Sequence, residues 1–125
     1  MNRTMEPEEI REIGNVLLQE FELKHWTISI KDKFSGTDSF YMAVTNYFYR
    51  TISFSKEEMK KVDYLGCLSV IRHEIAHALV SSMAKSHGKE WKEAAFNVGL
   101  FKEELYPFSV KSKKIFYKMH VLPKN

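Results

Sequence analysis

Asp63-Tyr64-Leu65-Gly66-Cys67-Leu68-Ser69-Val70-Ile71-Arg72-His73-Glu74-Ile75-Ala76-His77-Ala78-Leu79 is the run around which this 125-residue chain organises itself. Asp63 is a strong helix N-cap, because its carboxylate can accept from an otherwise orphaned backbone N–H. Tyr64, Leu68, Ile71, Ile75 and Leu79 then recur at three- and four-residue steps. That spacing predicts one long helix, from Tyr64 to about Met83, with the stripe turned to the core.

Inside this helix stands His73-Glu74-Ile75-Ala76-His77, the pattern H-E-x-x-H. Residues i and i+4 share one helical face, so the two imidazoles can reach a single Zn²⁺ at about 2.0–2.1 Å. Glu74, next to a ligand, falls beside the metal rather than on it, where it can take a proton from water held there. Gly66, Val70, Ser81 and Ala84 share the histidine face, and their small side chains would leave room for metal and substrate.

Two imidazoles do not complete a catalytic zinc site, which normally takes three protein ligands and keeps a place for water. The longer motif H-E-x-x-H-x-x-G-x-x-H is excluded, because Val80 and Met83 stand where its Gly and His would be. His87, Glu90 and Glu93 are the candidates for the third ligand. His87 is preferred, since the chain reverses at Gly88 and can carry the ring back to the metal. The competing reading of His87 is a helix cap; Glu90 and Glu93 read as solvated helix positions.

Upstream, Ser55 with Glu58 is a capping-box pattern that starts a helix near Lys56. Before it, Trp26, Ile28 and Ile30 alternate with Thr27, Ser29 and Lys31, and Ile52 and Phe54 alternate with Thr51 and Ser53. Phe40 to Tyr49 is rich in aromatic and β-favouring residues, and Ser35-Gly36-Thr37-Asp38 is a turn. The simplest arrangement is a small antiparallel sheet of about three strands between Trp26 and Phe54. At the start, Ile10, Ile13, Leu17 and Phe21 make an apolar stripe over Pro7 to Leu23, with Pro7, Glu8, Glu9 and Glu12 suited to a helix N-terminus.

Downstream, Lys89 to about Asn97 reads as a helix with Trp91, Ala95 and Val98 inward, closed by Gly99. Ile115, Tyr117, Met119 and Val121 alternate weakly, as in a last strand or an arm. Lys111, Lys113, Lys114, Lys118 and Lys124 make this tail basic, with Phe116 and Tyr117 interleaved. Such a strip can contact single-stranded DNA; equally, lysines protect sheet edges. The aromatic group Tyr41, Tyr47, Phe48 and Tyr49 reads as core and sheet surface, and a strand beside the zinc helix could pair with an extended substrate. His25 and His120 stand apart from the motif. Cys67 reads as a small buried hydrophobe.

Helix, strands, then helices define one α+β domain over residues 1–125. With 44% hydrophobic residues and 28% charged, the chain can build a core unaided, and a formal charge of +3 does not itself demand a polyanionic partner. The single cysteine excludes an internal disulfide and a Cys-based zinc ribbon. No secretion signal or membrane span is read, so a monomer in the cytoplasm, or in a eukaryotic nucleus, is expected.

His73-Glu74-Ile75-Ala76-His77 followed by His87-Gly88-Lys89-Glu90-Trp91 resembles the SprT-like zinc metallopeptidase family, which includes the Spartan-type proteases. The strand opened by Trp26, and Thr51-Ile52-Ser53-Phe54-Ser55 before the helices, are similar to the same family, so the resemblance spans Trp26 to Gly99. It implies a zincin-like, minigluzincin-type core, one Zn²⁺ per chain held by His73, His77 and His87, and Glu74 as catalytic base. It also implies proteolysis, in the Spartan-type branch directed at proteins crosslinked to DNA. The C-terminal four-cysteine ribbon of many members is missing. The alternative function is a catalytically idle, zinc-stabilised module that binds DNA or a protein partner; the intact Glu74 argues against it.

Overall fold

A computed structural model describes residues 3–80 and 87–100, and the backbone of 112–115. The first helix, α1 (Pro7–Glu20), opens as its sequence requires: Pro7 sits in the first turn, and Glu6 and Glu9 cap each other's backbone N–H groups. Its buried ridge is Ile10, Gly14 and Leu18, flanked by Ile13, Leu17 and Phe21 packed against the core. Gly14 is needed for close approach, because a Cβ there would lie 2.9 Å from Ile28 Cδ1. Arg3 makes two 2.9 Å hydrogen bonds to the Glu9 carboxylate and lies 4.5 Å above the Tyr64 ring. Those bonds, with one from the Glu6 N–H, lower the Glu9 carboxyl to about 2.

The sheet is built from β1 (Thr27–Lys31), β2 (Ala43–Asn46), β3 (Thr51–Ser55) and β4 (Ser112–Ile115), in the order β1-β3-β2-β4. The α+β layout is as expected, but the pairing is mixed rather than antiparallel. β2 and β3 form an antiparallel hairpin, whereas β3 runs parallel to β1 with Ile28 beside Ile52 and Ile30 beside Phe54. β4 runs parallel to β2. The physical reason is that period-2 alternation assigns a face to each residue and says nothing of strand direction. The chain between β1 and β2, with a one-turn 3-10 helix at Gly36–Asp38, lets β3 enter between them. Ile52 and Phe54 at this central position are both 0% exposed.

Ser55 ends β3 and caps α2 (Lys56–Met59), accepting from the Glu58 N–H at 3.2 Å. Asp63 caps α3 (Tyr64–Leu79), accepting from the Gly66 N–H at 2.9 Å. Helix α4 (Lys89–Asn97) follows, and Gly99 closes it at a φ of +99°. α3 ends at Leu79, short of the expected Met83, because the Val80 backbone is already extended as the C-cap; Ser81 and Ala84 lie outside the described residues.

α3 is enclosed on several sides, packed against α1, β2 and α4. Ile71 and Ile75 are fully buried, as expected; Tyr64, Leu68 and Leu79 are partly buried and pack against the core. The opposite, histidine-bearing face is covered too, with Val70 at 0% and His73 and His77 at 2% exposure. Burial pushes the Cys67 thiol up to about 11. Among the described residues, no helix is long and apolar enough to cross a membrane.

Candidate metal centre

The helical spacing of His73 and His77 puts both rings on the side of α3 that meets α4, and both residues are 2% exposed. His87 reaches them from outside the helix. It has a φ of +60°, in the left-handed region where histidine is among the better tolerated residues, and Gly88 after it is the N-cap of α4. The helix-cap reading of His87 therefore passes to Gly88, and the His87 ring turns to the other two.

The His87 Nε2 lies 2.9 Å from His73 Nε2 and 3.2 Å from His77 Nε2. Three ligand nitrogens bound tetrahedrally at zinc distances would be separated by about 3.3 Å. One ring nitrogen from each histidine lies within 4.8 Å of the others, and no fourth His, Cys, Asp or Glu joins this group among the described residues. The donor set fits a divalent ion of zinc's borderline softness, and a shared cation satisfies three converging lone pairs at once. Glu90 and Glu93 are exposed on the far side of α4, and His25 is exposed away from the cluster. Lys113 and Lys114 lie on β4, whereas Lys111, Lys118, Lys124 and His120 lie outside the described residues.

Trp91 forms the floor. Its ring centroid lies 4.8, 5.5 and 4.6 Å from those of His73, His77 and His87, and its indole N–H donates to the His73 carbonyl at 3.4 Å. Trp91 is fully buried, so it holds the histidine-bearing turn and α4 in one packing unit. An inward Trp91 is legible from helical spacing; its place beneath three imidazoles is not.

Two site residues escape a reading of the motif, and both come from the β2 hairpin. The Thr45 hydroxyl donates to Glu74 Oε1, and both residues are 0% exposed. That bond fixes the direction of the carboxylate. Tyr47, one residue past β2, donates its hydroxyl to the carbonyl of His77 and packs edge-on against Trp26 at 5.5 Å. Burial, then the Glu74 charge, push the Tyr47 hydroxyl well above its ordinary value, so it stays protonated as a donor. Thr45 leaves one faint signal in the sequence, a polar residue after Met42-Ala43-Val44; nothing there separates Tyr47 from Tyr41 or Tyr49, which is 70% exposed.

This arrangement can hold a metal on three imidazoles with a carboxylate on the same helix, oriented from the sheet. No curated protein and no solved structure matches the chain. The model of the SprT-like family matches residues 8–112, which takes in nearly all of α1, the strands β1 to β3, the metal-site helix and α4, and reaches beyond the Trp26–Gly99 span of the motif resemblance at both ends. On that match, and with its three histidines gathered as described, the chain belongs to the SprT-like family.

Proposed function

We propose that the protein is a zinc-dependent metalloendopeptidase that hydrolyses protein substrates, with proteins associated with or crosslinked to DNA as the class the family resemblance favours. The observation that carries this reading is the convergence of His73, His77 and His87 with Glu74 held from β2 by Thr45. Zinc held by the three histidines would polarise the scissile carbonyl and bring the pKa of water toward neutrality.

The chain's own residues supply the proton transfers. Glu74, aimed by Thr45, takes a proton from the attacking water as its oxygen adds to the carbonyl carbon. It returns that proton to the amide nitrogen as the C–N bond breaks, and the second proton of the water passes from the new carboxyl group to the amine, leaving a carboxylate and an ammonium group. Tyr47 acts on the histidine side, its hydroxyl anchoring the backbone at His77. Burial of Glu74 keeps competing solvent from the proton path. The idle-module reading is disfavoured on chemistry: three donors, with no fourth among the described residues, suit an open site, and a structural ion has no use for an oriented base.

The test is a pair of variants. Glu74→Gln should retain about one zinc per chain and lose turnover of casein by at least about a hundredfold. His77→Ala should lose the zinc itself. A Glu74→Gln protein as active as the parent would overturn the mechanism. Repeating the assay with and without single-stranded DNA tests the basic tail, since salt-sensitive stimulation is expected if its lysines contact phosphates.

A further inference from the structure

β2 is the strand that borders the metal centre, because Thr45 meets Glu74 and Tyr47, just beyond the strand, meets the His77 carbonyl. One edge of β2 is filled by β3. The outer edge of β1 is the other end of the sheet, and a strand added there would lie about 14 Å from β2 at ordinary strand spacing. An extended polypeptide that adds to the sheet next to Glu74 therefore needs the second edge of β2. The chain's own β4 already holds that edge, with Ala43 beside Ser112, Val44 beside Lys113, Thr45 beside Lys114 and Asn46 beside Ile115.

β4 is a weakly specified strand. It has four residues, Ser112-Lys113-Lys114-Ile115, and two are lysines, which strands disfavour. It pairs in parallel, the less stable pairing per residue, and β2 is its partner in the sheet order. We infer that β4 is a resident occupant of the substrate edge: an extended substrate peptide pairs with β2 by displacing Ser112–Ile115, and the paired form is the latent state. This inference rests on the peptidase reading for its substrate, and on the sheet order alone for its geometry. It gives the lysine-rich tail a second role, since lysines on a terminal strand discourage further chains from adding to it.

A reversible lock tests it in the full chain. Val44 and Lys113 are register partners, and parallel strands are spaced about 4.8 Å apart, within the range a disulfide spans. The buried Cys67, its thiol raised to about 11, does not compete for oxidation. In the Val44→Cys, Lys113→Cys protein, oxidation should lower casein turnover at least about tenfold and reduction should restore it. Lys113→Pro and Lys114→Pro, made singly so that one of them removes an N–H facing β2, should instead lower KM at least about threefold.

Binding of a fluorescein-labelled casein peptide to the same variants in a Glu74→Gln background separates the two readings. If nothing hydrolyses casein but oxidation still blocks peptide binding, the peptidase reading falls and edge competition stands. If casein is hydrolysed and the oxidised lock binds and turns over like the reduced form, edge competition falls alone. Failure of the cysteine pair to close would also overturn it, because the register itself would then be wrong. A proline variant that melts early leaves the lock as the deciding measurement.

Discussion

At the scale of single residues, the two carboxylate oxygens of Glu74 do not have equivalent surroundings. Oε1 receives the Thr45 hydroxyl inside a fully buried site, where a hydrogen bond to an ionised group is worth about 1.5–3 kcal/mol. Thr45→Val keeps the shape and removes the donor. It is expected to lower kcat about 10- to 100-fold while zinc content and KM stay near the parent values, and Thr45→Ser should restore most of the loss. Steady-state kinetics with a parallel zinc assay distinguish this positioning role from a folding defect, which would move all three quantities. His73, Glu74 and His77 were legible as a set, because helical geometry converts a four-residue spacing into a shared face. His87 was legible as a preference over Glu90 and Glu93, since a turn had to carry it back. Thr45 and Tyr47 were not, because nothing local in the strand states which helix it will lie against.

At the scale of elements, α3 carries His73, His77 and Glu74, the proposed ligands and base, so its start matters to the site. Asp63 caps that end, accepting from the Gly66 N–H at 2.9 Å. Asp63→Ala should cost about 1 kcal/mol of stability, and Asp63→Asn only a few tenths, measured as a shift of denaturant midpoint at unchanged slope. The cap and helix start were predictable, as were α1, α2 and α4, because caps and apolar periodicity are local signals. The sheet was predictable only in part. Alternation groups Trp26, Ile28 and Ile30 on one strand and Ile52 and Phe54 on another; Ile28, Ile52 and Phe54 are buried and Trp26 and Ile30 partly so, yet β1 runs parallel to β3. Both directions bury the same residues, so the pattern contains no information that separates them.

At the scale of the whole molecule, a metal held by the three histidines would link separate parts of the chain. His73 and His77 come from α3, whereas His87 precedes α4, and Trp91 packs beneath all three rings. Zinc at about a hundred times its dissociation constant should therefore add about 2.7 kcal/mol to folding. For a chain of this size that is a rise of about 10 °C in Tm. Chelation should reverse the rise and His87→Ala should abolish it, as followed by calorimetry with and without added zinc. Local chemistry was enough to write down an α+β domain, a helix with two imidazoles and a carboxylate, and a third imidazole at a turn, since each depends on residues close in sequence. The order β1-β3-β2-β4, the contact of Thr45 with Glu74 and the pairing of Ser112–Ile115 with β2 were settled by folding in three dimensions. These contacts join residues 29 and about 70 positions apart. Strand pairing and buried hydrogen bonds at such separations are chosen by whatever surface the folded core presents, and no short-range pattern encodes that choice.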